Sequence, residues 1–315
     1  MALSDIADKQ VKLIMIGGKG GVGKTTCASA IALKLARVEK RKVLLISSDP
    51  SPSLADIFEQ QIGDGETKVD GSSDLYGLEV SSEMVLKRWK ERFGPEIYDV
   101  VSSFARVDYD FVDYIGSAPG IEEEYMLYFI TELVESGRYD TIVWDTAPAG
   151  HTLRLLRLPE LFLSHLEAAT KFYMNMYGYL DRLKGAVALK ESKRSLLQII
   201  SGWEALSRYI AEFIRDGQKV RYAIVTIPEA LAVRLTERAI LELEDSGLAV
   251  GNLIINNIVR TADCEFHRKR MEMQKQYLQI YRDKYSNKQI QLLYGTPYEI
   301  KGLERIAEIS EALFT

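Results

Sequence analysis

Apolar and polar positions along this chain follow two rhythms. Short β-branched runs at Val11 to Ile16, Val43 to Ser47, Leu75 to Val80, Thr141 to Trp144, Tyr222 to Thr226, Leu253 to Ile255 and Ile290 to Tyr294 read as strands, with longer helical stretches between them. Strands separated by helices imply βαβ units and a parallel sheet covered on both faces. Almost 80 residues separate Trp144 from Tyr222 without a good strand signal, more chain than a simple crossover needs.

Within that stretch Leu155, Leu158, Phe162, Leu166, Ala169, Tyr173, Met176 and Leu180 recur at spacings of three and four. Leu196, Ile199, Trp203, Leu206, Ile210 and Phe213 repeat the rhythm, which places each set on one helix face. A link over 182–194 carries Lys184, Lys190, Lys193 and Arg194, and an earlier helical region, from about Ser82 to Phe129, holds Trp89, Phe93, Phe104, Phe111 and Tyr114. The expected organisation is a single domain over 1–315, with a helical subdomain from about 82–130 and 155–216 inserted in one core.

Composition narrows the class. The 315 residues include 45 acidic and 40 basic side chains for a net charge of −5, 27% charged and 10% aromatic, which argues against disorder. The acidic balance removes general attraction to nucleic acid and anionic lipid, so no nucleic-acid partner is expected. Two cysteines, Cys27 and Cys264, cannot make a secreted disulfide framework, and Met1 to Asp5 shows no basic-then-apolar leader. A cytoplasmic setting is the expectation, and no uncharged apolar run approaches the roughly 20 residues of a membrane span.

The chemistry begins after the first strand, at Gly17-Gly18-Lys19-Gly20-Gly21-Val22-Gly23-Lys24-Thr25-Thr26. Two patterns overlap here. Gly18-x-Gly20-x-x-Gly23 fits a dinucleotide turn, and Gly18-x₄-Gly23-Lys24-Thr25 fits a phosphate-binding P-loop. Glycine lets the backbone curl so that successive N–H groups face phosphate oxygens at a helix N-terminus. Lys24 would reach the β and γ phosphates and Thr25 would bind Mg²⁺. The second lysine, Lys19, suits a triphosphate better than a dinucleotide. The fold expected is therefore α/β, a doubly wound, mostly parallel P-loop core with the inserted α-helical subdomain.

A Lys-Gly-Gly-Val-Gly-Lys-Thr-Thr loop resembles the deviant Walker A of the P-loop ATPases that include nitrogenase iron protein, the Min and Par ATPases, the arsenical pump-driving ATPase and the Get/TRC targeting ATPases for tail-anchored membrane proteins. The resemblance implies a homodimer in which Lys19 reaches the partner's nucleotide, coupling ATP binding to dimer closure.

Further motifs follow in order. Asp49, in Ser47-Ser48-Asp49-Pro50-Ser51-Pro52, ends the second strand where open α/β sheets bind ligands, and can orient the attacking water. The other reading is an aspartate starting a turn before Pro50. The segment resembles the family's switch I, with Ser51 and Pro52 replacing its Ala-His. Asp145-Thr146-Ala147-Pro148-Ala149-Gly150-His151-Thr152-Leu153-Arg154 resembles switch II of the Get/TRC and arsenical-pump branch. It implies Asp145 holding Mg²⁺ through water, Gly150 hinging at the γ-phosphate and His151 as part of the switch.

Late in the chain Asn256 follows a strand, where its amide could read adenine, and it matches the family's Val-Asn-Gln motif. Thr296-Pro297-Tyr298-Glu299 matches its adenine loop, so Pro297 and Tyr298 join the nucleotide contacts. Leu235-Thr236-Glu237-Arg238 departs from the family's Glu-Thr-Glu-Arg and lacks its cross-dimer carboxylate. Get/TRC proteins carry Cys-x-x-Cys where this chain has Cys264-Glu265-Phe266-His267. Cys264 and His267 from two subunits would make a Cys₂His₂ zinc set, against the plainer reading of two ordinary loop residues.

The apolar stripes have two readings as well, the packed interior of a helical subdomain or a groove that receives a helix, with Met126, Met174 and Met176 giving adaptable packing. The resemblance favours the groove. It implies an ATP-hydrolysing homodimer, or a higher oligomer, that shields the hydrophobic helix of tail-anchored clients and delivers them to a membrane, where a receptor remains to be identified. The alternatives are an arsenite-stimulated ATPase driving an efflux pump, which needs several soft thiolates, and a Min/Par-type positioning ATPase.

Overall fold

The computed structural model describes residues 3, 5–49, 54–102, 106–118, 120–146 and 188–315. The chain begins with β1 (Leu13–Gly18), α1 (Lys24–Arg37), β2 (Val43–Ser47), α2 (Leu54–Phe58), β3 (Thr67–Lys68) and β4 (Leu75–Glu79). It continues through α3 (Ser82–Ser102), α4 (Phe111–Gly116), α5 (Ile121–Glu135) and β5 (Thr141–Asp145). The described C-terminal part holds α6 (Ala188–Arg215), β6 (Val220–Thr226), α7 (Ala230–Asp245), β7 (Val250–Ile258), α8 (Glu265–Lys284), β8 (Gln289–Tyr294) and α9 (Gly302–Phe314).

These residues fall into two compact units, one of Met1–Ser81, Glu132–Leu153 and Ile214–Thr315 and the other of Ser82–Thr131 and Arg154–Phe213. The first is built on an eight-stranded sheet in the order β3-β4-β2-β5-β1-β6-β7-β8. Every pairing is parallel except β3 with β4. From β1 the chain turns to β2 on one side, and from β6 to β7 on the other. The carboxyl ends of the central strands therefore flank a topological switch point, where α/β sheets take their ligands.

Burial on both faces explains the unbroken apolar runs. All six residues of β1 and all five of β2 are buried. One face presents Ile14, Ile16, Leu45, Val143 and Val225 to a core shared with Ala28, Ile31 and Leu35 of α1 and Ile306, Ile309 and Leu313 of α9. The opposite face places Met15, Trp144, Tyr222 and Ile224 in equally buried positions. On that side Thr236 of α7 donates to the Thr226 hydroxyl, which also bonds Tyr281 of α8, each at 2.8 Å.

The strand reading needs three adjustments. β1 starts at Leu13 and runs through Gly18, so the first two loop glycines belong to the ladder. β7 extends to Ile258, with its register against β8 shifting between Ile255 and Ile258, so Asn256 sits within the strand. The pair β3 was not anticipated, because two residues carry no periodicity.

The second unit contains α3, α4 and the larger parts of α5 and α6. Helix α6 already begins at Ala188, inside the stretch read as a link. Trp203, Leu206 and Ile210 of α6 join Trp89, Phe93, Tyr125 and Tyr128 around a mainly apolar cavity of about 270 Å³. At its edge the Trp203 indole donates to Glu96 at 2.6 Å, and Arg92 pairs with the same carboxylate at 3.0 Å. Met126 is buried. The stripe from Leu155 to Leu180, with Met174 and Met176, lies outside the described residues, as do Ser51, Pro52, Gly150 and His151. Among the described residues no helix is long and apolar enough to cross a membrane.

Candidate functional site

The site is built at the carboxyl ends of β1, β2, β5, β7 and β8. The loop after β1 depends on glycine at two positions for separate reasons. Gly18 has φ 143°, and a Cβ there would lie 2.2 Å from the Val225 carbonyl oxygen. Gly23 is left-handed at φ 94°, and its Cβ would meet the Asn256 side-chain nitrogen at 2.4 Å. Gly23 also caps α1, which has no acidic residue in its first turn and no side-chain cap. The leading N–H groups and the positive end of a 14-residue helix thus face the loop, the arrangement that holds an anion.

Lys24 and Thr25 open α1. Lys24 is only 5% exposed, and its ammonium lies 3.9 Å from Asp49 Oδ2, so a buried cation at the loop is held by a carboxylate two residues beyond β2. The Thr25 hydroxyl donates to Asp145 Oδ2 at 2.6 Å, bringing together residues 120 apart in sequence. Ser47 also reaches that oxygen, at 3.5 Å. Asp145 is fully buried, and among the described residues its other oxygen, Oδ1, has no hydrogen-bond partner. Burial pushes its carboxyl up to about 6, against the opposing effect of the Thr25 hydrogen bond and the Lys24 charge, with Asp49 adding repulsion.

A buried carboxylate oxygen to which no described group donates has room for a cation or an ordered water. Asp145 and Thr25 offer hard oxygen donors at the foot of the phosphate loop, a set that suits Mg²⁺.

Asn256 holds the opposite side. Its Nδ2 donates to the Val22 carbonyl at 2.9 Å and its Oδ1 accepts from the Asn257 N–H at 2.8 Å. Asn257 itself is left-handed, at φ 58°. A cleft of about 520 Å³ opens here, lined by Gly21, Gly23, Thr25, Thr26, Asn256, Thr296 and Tyr298 among others. That volume lies within the range of roughly 300–1,000 Å³ common for small-molecule sites. Arg305 stacks 4.0 Å from the Tyr298 ring centre, and Glu308 accepts from its hydroxyl. Pro297 is exposed between Thr296 and Tyr298, which supply the lining. Lys19 and Gly20 are exposed, and Val22 is buried.

Two supporting residues were not found from sequence. Glu79, at the end of β4, accepts from the N–H groups of Leu54 at 2.6 Å and Ala55 at 3.4 Å, and so anchors α2 just beyond the Asp49 segment. The Tyr222 hydroxyl occupies the space a side chain on Gly17 would need, 2.2 Å from its Cβ position, and bonds Thr146. No local pattern marks either residue, since each partner comes from another element, helix α2 for Glu79 and strand β1 for Tyr222.

The two cysteines differ in kind. Cys27 is completely buried behind the loop, its thiol pushed up to about 12 by burial and by Asp145, which leaves it protonated and inert. Cys264 is exposed and caps α8, its Sγ accepting from the His267 N–H at 3.5 Å. The ligand atoms of Asp263, Cys264 and His267 lie within 4.8 Å of one another, and Asp263 bonds His267 Nδ1.

Residues 11–315 match the family model described as Anion-transporting ATPase. The chain is similar to ATPase GET3 of Podospora anserina, at 33% identity over 322 aligned residues that take in 99% of this chain and 93% of that protein. It is 31% identical to the ATPase ASNA1 homolog of Dictyostelium discoideum, covering 98% and 91%. ATPase GET3A of Arabidopsis thaliana is likewise 31% identical, with 99% and 87% covered.

The buried Asp145 carboxyl sets a pH dependence. Its folded value of about 6 stands above the ordinary 3.8, so the folded chain binds the proton more tightly. Its contribution to stability is present below about pH 4 and is lost as pH rises through about 6. In magnesium-free buffer Asp145→Asn should therefore be more stable than wild type at pH 8, by at most about 3 kcal/mol, with the difference vanishing near pH 4. Magnesium should raise the melting temperature of wild type and leave that of Asp145→Asn unmoved. Thermal scans across pH, with and without magnesium, read both effects, and equal responses of the two proteins would remove Asp145 from the metal position.

Proposed function

The chain belongs to the anion-transporting ATPase family and is an ATPase, and from that footing we propose that it works as a homodimer that holds the hydrophobic helix of tail-anchored membrane proteins and delivers them to a membrane. The observation that carries the targeting reading is the apolar cavity of the helical unit, walled by Trp89, Phe93, Tyr125, Tyr128, Trp203 and Leu206. It stands in a chain whose Asp145 to Arg154 string resembles switch II of the Get/TRC branch. A chamber of about 270 Å³ holds side chains of a helix and not a whole one. The complete groove would draw on the stripe from Leu155 to Leu180 and on a second copy of the chain.

Hydrolysis would use the charges already gathered at the loop. A γ-phosphate competes with Asp49 for the Lys24 ammonium, and Asp49, released from that pairing, accepts a hydrogen bond from the attacking water and orients it. The backbone N–H groups of Gly20 to Thr26 take the phosphate oxygens. Mg²⁺, held by Thr25 and through water by Asp145, would neutralise charge on the β- and γ-phosphoryl oxygens. Asn256 and Tyr298 would bound the adenine end, and Lys19, exposed at the rim, would meet the partner's nucleotide. Gly150 and His151 would carry the signal onward to the helical unit.

The departure at Leu235 bears on the dimer. Leu235 is 39% exposed on α7, so an apolar side chain stands where the family's carboxylate would cross to the partner's nucleotide. Arsenite is a poor fit, because of the two thiols one is buried and protonated.

Zinc belongs to the same reading. With Nδ1 of His267 turned to Asp263, its Nε2 and the Cys264 thiolate are the donors for a metal shared between two copies, and the carboxylate behind the histidine is the usual orienting partner. Purified protein should carry about one zinc per two chains, as a Cys₂His₂ set requires. Elemental analysis of wild type and Cys264→Ser checks this, and zinc unaffected by the substitution would exclude the cluster.

The targeting reading is tested by co-expression with a tail-anchored protein and with the same protein lacking its apolar tail. Capture of the first alone is expected. Capture of both equally, or of neither, would defeat it.

A further inference from the structure

Helix α8 buries only two of its side chains, Gln274 and Tyr281. They are seven residues apart, nearly two turns, and so lie on one face. Tyr281 is fully buried and its hydroxyl meets Thr226 at 2.8 Å and the Ile227 carbonyl at 3.3 Å, which fastens the helix to the carboxyl end of β6. A glutamine that is 1% exposed on the same face needs partners for its whole amide. Gln274 finds them on the backbone of β7 and the residue after it. Its Oε1 accepts from the Val259 N–H at 2.8 Å and its Nε2 donates to the Asn257 carbonyl at 2.9 Å.

Those bonds clamp the stretch where regular pairing fails. The β7–β8 register shifts between Ile255 and Ile258, and Asn257 holds a left-handed conformation that few residues other than glycine adopt readily. Immediately before it stands Asn256, whose amide donates to the Val22 carbonyl of the phosphate loop and fills the space beside Gly23. A shift of the backbone at 257 turns the Asn256 side chain, and with it both a wall of the nucleotide cleft and a support of the loop.

We propose that Gln274 is a positioning residue for the nucleotide: by clamping the backbone at Asn257 and Val259 it aims Asn256 at Val22, and it sets affinity for ATP and not the rate of the chemical step. This rests on the reading of the cleft as the nucleotide site. Gln274 lies on no recognised motif and touches neither loop directly. On this proposal its effect passes through the Asn256 side chain and not through Asn257, which also lines the cleft, and that predicts a specific pattern of coupling.

The test is steady-state ATP hydrolysis by Gln274→Met, Asn256→Ala and the double variant. Methionine keeps the volume and removes both hydrogen bonds. KM for ATP should rise roughly tenfold in Gln274→Met, the size of effect expected for a buried hydrogen-bonding pair, with kcat changing by less than about twofold. Adding Gln274→Met to Asn256→Ala should raise KM no further. Gln274→Glu provides a second handle. Its carboxylate still accepts from Val259, and only the protonated form donates to the Asn257 carbonyl, so its KM should fall toward the wild-type value as pH is lowered. If Gln274→Met does not fold, this pH profile alone decides. A raised KM in Asn256→Ala beside an unchanged one in Gln274→Met, additive effects in the double variant, or a Gln274→Glu profile parallel to wild type would overturn the role of Gln274. An unchanged KM in Asn256→Ala would instead overturn the nucleotide reading of the cleft.

Discussion

The buried carboxylate of Asp145 is the group on which the rest of the site depends. It ends β5, takes the Thr25 hydroxyl from the loop after β1, and lies within reach of Ser47 at the end of β2. An ionised carboxylate buried this deeply is unfavourable without compensation, and the compensation present comes from Thr25 and Lys24. The one oxygen left without a donor fits a cation. The same carboxylate that is unfavourable in the metal-free fold at neutral pH is therefore the one that, in the proposed function, a metal-bound nucleotide would stabilise.

Around that group the loops are held from behind by hydrogen bonds to side chains on neighbouring elements. Trp144 donates to Ser48 at 2.9 Å and Glu79 caps α2, so the Asp49 segment is tied at both ends. Asn256 ties the phosphate loop to β7. Lys24 and Asp49 hold each other at 3.9 Å within this frame. In the proposed function the Lys24–Asp49 pair is the contact within this frame that a γ-phosphate would displace.

Much of this was legible in the sequence, and physical reasons separate what was from what was not. Central parallel strands buried on both faces read as apolar runs, so Leu13 to Ile16, Val43 to Ile46 and Thr141 to Trp144 stood out. The spacing of the phosphate loop pointed to Lys24 and Thr25, and the resemblance of the string after the fourth strand to switch II pointed to Asp145. The placement of Asn256 inside β7 was missed because the register shift after Ile255 has no signature of its own. Glu79, Tyr222 and Gln274 were illegible for a common reason. Each is a polar residue in an ordinary local pattern, and its meaning comes from a partner on another element.

In the proposed function the phosphate switch of the first unit governs binding at the apolar chamber of the helical unit. The most direct measurement is fluorescence anisotropy of a dye-labelled tail-anchored helix bound to the full chain, followed after addition of ATP and magnesium. Wild type should release the helix as ATP is consumed, while Asp49→Asn, expected to bind ATP but turn it over at least about a hundredfold more slowly, should retain it on the same timescale. Release at the same rate from both proteins, or binding of the helix indifferent to nucleotide, would contradict the account.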